Sequence, residues 1–259
     1  MTYETFAKQI AREAGEEIRK NFQINGHREW KEDGSPVTKT DMAINKMVIE
    51  RVAETFPDHG VKGEEESAYS GEEEYLWVCD PIDGTTPFAH GIPTCVFSMA
   101  LVKDGRSILG VVYDPFLDRL FFAQKGTGAF LNDEPVHVSD AKAFNANLVI
   151  ASSFSRNFVD TLAVASVLKK QGVHIMNLQC HIYAGMLVAA GELGAVIFSG
   201  KGAHDGAALK ILVEEAGGRV TDLFGNEQRY DQPMKGQLVT NGVLHEPVLA
   251  LLSEHPLIS

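Results

Sequence analysis

Cysteine is scarce in this chain. Its 259 residues contain three, Cys79, Cys95 and Cys180, too few and too scattered for a disulfide framework or a cysteine metal site. Their odd number suits a reducing compartment, and the apolar runs around Cys79 and Cys95 mark those two as buried thiols. Positive charge is also short, since 23 Lys and Arg against 35 Asp and Glu leave a net −12. A protein that binds nucleic acid by counterion release carries the opposite balance, so no direct nucleic-acid partner is expected. No apolar run approaches the ~20 residues of a membrane span, and residues 1–22 carry charges throughout, unlike a secretory leader. No membrane partner is expected, and the expected location is cytoplasmic. Internal repeats and low-complexity linkers are absent. No Gly-x-Gly-x-x-Gly follows a strand, which removes the usual dinucleotide-binding signature.

What is present is a globular composition, 44% hydrophobic and 22% charged, long enough for one broad domain or two closely joined halves. Phe6, Ile10, Ala14, Ile18 and Phe22 step by four and give a first helix packed on one face. Residues 31–36 form a polar loop with glycine and proline, expected to be exposed and mobile. Thr40 or Asp41 caps a second helix that buries Ile44, Met47, Val48, Val52 and Phe56, and Pro57 follows its end. Strand-like runs at 95–102, 107–113, 120–123 and 129–131, separated by turn residues, read as an antiparallel meander. From about residue 148 the pattern changes to alternating strands and helices, with helices at 160–171, 182–190, 205–216 and 246–252 and strands at 195–199 and 237–240. The helix at 205–216 ends at Gly217-Gly218, where glycine supplies a left-handed cap. The expected boundary falls near residue 145, between an N-terminal half, 1–145, and a C-terminal half, 146–259.

The most informative segment is Asp80-Pro81-Ile82-Asp83-Gly84-Thr85-Thr86-Pro87. It follows the strand-like Tyr75-Leu76-Trp77-Val78-Cys79 and reads as the start of a helix. Two carboxylates beside free backbone N–H groups suit a hard divalent cation and a phosphate respectively. Taken alone, Asp-x-x-Asp before a glycine is also an ordinary acidic turn. Three further pieces keep it company: Thr40-Asp41, Gly63-Glu64-Glu65-Glu66-Ser67, and His204-Asp205-Gly206-Ala207-Ala208 leading to Glu214-Glu215-Ala216-Gly217-Gly218. Singly, Asp41 and Asp205 are helix caps and the glutamate run is solvated surface.

Together, in order over roughly residues 31 to 245, these pieces resemble the inositol-monophosphatase-like family of Mg²⁺-dependent, often lithium-sensitive phosphatases. The resemblance implies an α/β fold (an α+β sandwich) of layered αβαβα, sugar-phosphatase-like architecture, with an antiparallel N-terminal sheet and a C-terminal α/β half. It implies Mg²⁺-dependent hydrolysis of a small phosphate monoester by a metal-activated water, with two or three Mg²⁺ and Li⁺ as an inhibitor. By resemblance, Glu64, Asp80 and the Ile82 carbonyl hold one ion; Asp80, Asp83 and Asp205 hold a second; Glu64 helps with a weaker third. Thr85, paired with Asp41, orients the attacking water, and the Gly84 and Thr85 N–H groups take the phosphate. Asp83, Gly84, Thr85 and Asp205 face the substrate, and Lys201, which departs from the family pattern, joins them if its loop reaches the cleft. The N-terminal half thus carries most metal ligands, and the C-terminal half supplies Asp205 and the leaving-group side. The resemblance also implies a homodimer.

Several alternatives stay open at this level. The third glutamate leaves two registers: anchoring on Gly63 makes Glu64 the ligand, and anchoring on Ser67 makes it Glu65. His204 stands where the family has tryptophan. Gln179-Cys180-His181 replaces a Gly-Ser/Thr-Ala-type segment of inositol-specific members, and Phe198-Ser199-Gly200-Lys201 lies where they carry a glutamate, so inositol is not the expected dedicated substrate. Lys201 reads either as a plain loop lysine or as a partner for a second phosphate or another anionic group. Fructose 1,6-bisphosphate, histidinol phosphate and nucleotide 3′-phosphates are the rivals. A regulatory binding protein that keeps the family fold is the alternative from another class.

Overall fold

The computed structural model describes residues 1–24, 29–30, 36–154 and 157–257, so residues 31–35, most of the expected mobile loop, lie outside the described residues. The helices are α1 (Tyr3–Asn21), α2 (Lys39–Thr55), α3 (Thr85–Ala89), α4 (Thr161–Lys170), α5 (His181–Ala189), α6 (Ala207–Glu215) and α7 (His245–Ser253). The first strands are β1 (Glu29–Trp30), β2 (Pro36–Val37), β3 (Gly60–Gly63), β4 (Ser67–Ala68), β5 (Tyr75–Asp83), β6 (Val96–Lys103), β7 (Arg106–Asp114), β8 (Arg119–Gln124), β9 (Gly128–Leu131) and β10 (Glu134–Val136). The last five are β11 (Val149–Ser152), β12 (His174–Met176), β13 (Ala195–Phe198), β14 (Arg219–Thr221) and β15 (Gln237–Thr240).

Two large sheets result. One runs β10-β9-β8-β7-β6-β5-β3-β4 and is antiparallel except where β3 meets β5. The other runs β12-β11-β13-β15-β14, with β11 parallel to both of its neighbours. The larger sheet is covered on both faces, which is why its central strands read as nearly unbroken apolar runs rather than alternating ones. Trp77, Phe97, Met99, Leu101 and Val111 face Phe6, Ile10 and Ile18 of α1 and Ile44, Val48 and Val52 of α2. Val78, Ala100, Val112 and Phe121 face Ile182, Met186, Leu209 and Leu212 of α5 and α6, which also meet Ala151, Val196 and Val239 of the smaller sheet. Ile150, Ile197 and Leu238 bury the far side of that sheet against Val164 and Leu168 of α4 and Val248 and Leu252 of α7. The layers are therefore helices, sheet, helices, sheet, helices. The middle helices touch because Gly185 has no side chain: a Cβ there would run into Leu209.

Two expected helix starts shift. α2 is capped by Thr38, not Thr40 or Asp41: the Thr38 hydroxyl accepts from the N–H groups of Thr40 and Asp41, and Asp41 reaches back to the Thr38 N–H. This reciprocal pair satisfies donors that the helix end would otherwise leave open. α6 begins at Ala207, after a turn in which Asp205 N–H donates to the Gly202 carbonyl. Gly206 is its N-cap, so the Asp205 side chain is released for other work.

Candidate active site

The end of β5 builds the site. Asp80 pairs with Ser98 and Asp83 with Val96, so three steps on β5 match two on β6. Pro81 lies inside this bulge, where a missing N–H costs the ladder least. In a regular strand Val78 and Ile82 would share a face. Here Val78 belongs to the core between the sheets and Ile82 to the core under α1 and α2. The extra residue thus turns Asp83 toward the same middle layer as Asp80. Gly84 follows with φ at 88°, and a Cβ there would come within 2.6 Å of the Thr94 carbonyl. Both facts demand glycine. α3 then runs for only five residues.

Asp80 is 2% exposed, and its Oδ1 has no hydrogen-bond partner. Burial holds its carboxyl well above the usual range, followed by the charges of Glu64, Asp83, Asp205 and Asp41. Those are the carboxylates singled out from the sequence, and the fold sets them within electrostatic reach of Asp80. Glu64 arrives by strand register, since Gly63 pairs with Cys79 in parallel and the Glu64 N–H donates to the Cys79 carbonyl at 3.1 Å. Asn45, one helical turn beyond Asp41, clamps the following turn. It donates to the Glu66 carbonyl at 2.9 Å and accepts from the Glu65 N–H at 3.3 Å. Sequence reading missed Asn45 and Thr38; a buried amide on the apolar face of a helix and a Thr-x-x-Asp box were the available signals.

Asp41 is fully buried. Its Oδ2 accepts from the Thr38 N–H at 2.9 Å and from the Thr38 hydroxyl. The Thr85 hydroxyl lies 3.3 Å from Asp41 Oδ1 and 2.9 Å from the Ile82 carbonyl. Burial raises the Asp41 carboxyl to about 7 against the Thr38 hydrogen bonds, and Glu64 and then Glu65 add to the rise.

Asp83 is held by the first turn of α5. Its Oδ2 accepts from the Ile182 N–H at 2.7 Å and the Cys180 thiol at 2.9 Å. The imidazole of His181 stands between Asp83 and Asp205: Nδ1 is 3.4 Å from Asp83 Oδ1, and Nε2 is 3.1 Å from Asp205 Oδ1. The second approach is off the line of a hydrogen bond, so the buried Nε2 has no aligned partner. The ring stacks on Phe198, with centroids 3.5 Å apart and planes 9° apart. His204 Nε2 stands 3.8 Å from the same Asp205 oxygen. Burial pushes Asp205 up, but His204 and His181 outweigh it and hold the carboxyl below the usual range. Burial likewise lowers His181, and Asp83 and Asp205 overcome it to give a net rise.

Lys201 is not brought into this group: its ammonium lies 5.8 Å from the centre of the Phe158 ring. Beside His181 opens a cavity of about 300 Å³ lined by Ser152, Ser153, Phe154, Asn177, Gln179 and Phe198, among others. Gln179 sits there with φ at 55°, a left-handed conformation that costs a side-chain-bearing residue roughly 1–2 kcal/mol. Its N–H donates to Asn177 Oδ1 at 2.8 Å.

The donors gathered around Asp80 are carboxylates and a carbonyl, the set that suits Mg²⁺ rather than a thiophilic metal. A buried carboxyl oxygen without a partner is the observation that a cation would resolve. Among the described residues, however, no three His, Cys, Asp or Glu side chains stand ready around one point. His181 already engages Asp83 and Asp205, and Thr38 and Thr85 engage Asp41.

Comparison with known proteins decides the affiliation. Residues 2–257 match the model of the inositol monophosphatase family. The chain belongs to that family. It is 33% identical over 219 residues to a fructose-1,6-bisphosphatase/inositol-1-monophosphatase of Thermotoga maritima, covering 84% of this chain and 82% of that protein. It is 32% identical over 230 residues to a histidinol-phosphatase of Chlorobaculum parvum, covering 86% and 85%. Among solved structures, an inositol monophosphatase of Thermotoga maritima superposes with a TM-score of 0.89 at 29% identity over 98% of both chains. The layered fold is thus that of the family, and the chain is a phosphoric monoester hydrolase. Among the described residues no helix is long and apolar enough to cross a membrane.

Proposed function

We propose that the chain is a Mg²⁺-dependent phosphatase of small monophosphate esters, working between an N-terminal half, 1–145, and a C-terminal half, 146–259. The observation that carries the reading is Asp80, buried at 2% with a partnerless Oδ1 among four other carboxylates. Glu64, Asp80 and the Ile82 carbonyl would hold one cation, Asp80, Asp83 and Asp205 would hold a second, and Glu64 would contribute to a weaker third. When bound, such cations acidify the attacking water and neutralise charge on the phosphate oxygens.

The chain's own groups do the rest. Thr85 orients the attacking water by accepting one of its hydrogens while directing its own hydroxyl hydrogen to Asp41 Oδ1. That role needs Asp41 ionised, which a cation beside Glu64 and Asp80 favours by offsetting their charge. The Gly84 and Thr85 N–H groups bind the phosphate where β5 turns into α3. Asp83 and Asp205 face the leaving-group side, next to the cavity beside His181.

The cavity supports a neutral leaving alcohol. Its polar lining comes from Ser152, Ser153, Asn177, Gln179 and His181, and none of the described lining residues is Lys or Arg. The Lys201 ammonium, 5.8 Å from the centre of the Phe158 ring, is not part of that lining. The reading extends to a homodimer in the cytoplasm, the latter in keeping with three free, buried cysteines.

A panel of phosphate esters tests this reading: inositol 1-phosphate, histidinol phosphate, fructose 1,6-bisphosphate and a nucleotide 3′-phosphate, with released phosphate measured in Mg²⁺. The expected result is a higher kcat/KM for the monophosphates of neutral or amino alcohols than for the bisphosphate. The opposite ranking would mean that a cationic subsite has been overlooked.

A further inference from the structure

His181 is the residue that the phosphatase reading does not absorb. Its ring fills the space between Asp83 Oδ1 and Asp205 Oδ1, at 3.4 and 3.1 Å from its two nitrogens. A cation shared by Asp80, Asp83 and Asp205 takes an oxygen from each of these side chains, and Asp83 Oδ2 is already held by the Ile182 N–H and the Cys180 thiol. The imidazole is not free to drift: it lies flat on Phe198 at 3.5 Å. Its backbone is fixed as well, because it opens α5 between Cys180 and Ile182, and both of those donate to Asp83 Oδ2.

Building on the phosphatase reading, we infer that His181 is a resident occupant of the second cation position, which a metal ion enters only by displacing the ring from Phe198. The geometry separates this role from that of a ligand. In a ligand, one imidazole nitrogen and the carboxylate oxygens point at a common centre. Here each nitrogen addresses a different carboxylate, and the centre between them is the ring itself. Ring displacement costs the stacking on Phe198 and the approach to both carboxylates, so the second ion binds more weakly than the first. The first position, at Glu64, Asp80 and the Ile82 carbonyl, uses neither Asp83 Oδ1 nor Asp205 Oδ1, the oxygens that the ring stands between.

Mn²⁺ binding tests the inference without reference to turnover. The free ion is counted by electron paramagnetic resonance as the full-length, metal-stripped protein is titrated with Mn²⁺. The wild type is expected to bind one ion well and a second at least ten-fold more weakly. His181→Ala is expected to bind the second ion at least ten-fold more tightly than the wild type. Phe198→Ala, which frees the ring without removing it, is expected to move in the same direction, and carries the test should His181→Ala fail to fold. An unchanged isotherm in both variants overturns the inference and leaves the phosphatase reading standing. Loss of an ion in His181→Ala also overturns it, by making the imidazole a ligand. If the wild type and both variants bind no Mn²⁺, both the inference and the metal-dependent reading fall.

Discussion

Asp83 Oδ2 accepts the N–H of Ile182 at 2.7 Å, and this bond ties the bulged end of β5 to the first turn of α5. A carboxylate read from the sequence as a metal and substrate group is therefore also a structural acceptor. Asp83→Ala should lower stability by ~1–3 kcal/mol, because the buried Ile182 N–H is left without a partner. Asp83→Asn retains a carbonyl oxygen there and should cost less, while losing most activity. Urea denaturation in EDTA measures the first effect and phosphate release the second. Equal stability for Asp83→Ala and the wild type would show that the α5 anchor contributes nothing.

Glu64 and Glu65 should separate in a Mg²⁺ titration. Gly63 pairs with Cys79, so Glu64 is the next residue beside Asp80, and it is the charge that most raises Asp80 after burial. Glu64→Gln should raise the Mg²⁺ needed for half-maximal rate at least ten-fold and lower the maximum. Glu65→Gln should show a milder defect. The reverse order would place the ligand at Glu65.

Asp41 carries a pH signature. Its folded carboxyl lies at about 7 against an ordinary 3.8, so the folded state holds a proton that the unfolded state has released. Its contribution to stability is fully present below about 3.8 and is lost as pH rises through about 7. The metal-free protein should therefore lose stability between pH 5 and pH 8, and Asp41→Asn should reduce that slope, to which the raised Asp80, Asp83 and His181 add in the same direction. Thermal midpoints in EDTA at the two pH values decide it; an identical slope in the variant would remove Asp41 as its source.

Much of this molecule is legible in its residues, for identifiable reasons. β15 falls on residues 237–240 as read, and the meander β6 to β9 is found within a few residues, because turn glycines and aspartates bound strongly apolar runs. Short or edge strands such as β10 and β14 carry too few residues for a periodicity and were not foreseen. The carboxylates whose charges bear on Asp80 were recognisable because they lie in separate motifs that together match the family pattern. What escaped is what only packing decides. The β5 bulge turns Asp83 through one face, Gly206 rather than Asp205 caps α6, and Lys201 lies on Phe158. The placement of the His181 ring between two carboxylates depends on α5 and the loop before α6 meeting in space. No spacing in the chain encodes that meeting.

The most direct test is phosphate release from a monoester by protein stripped with EDTA, assayed before and after Mg²⁺ is restored, in the wild type and in Asp80→Asn. If Asp80 is the shared cation ligand, the stripped wild type should be inactive and recover on Mg²⁺ addition, and Asp80→Asn should stay at least a hundred-fold below it at any Mg²⁺ concentration. Full turnover in EDTA, or near-normal activity of Asp80→Asn, would contradict the account at its centre.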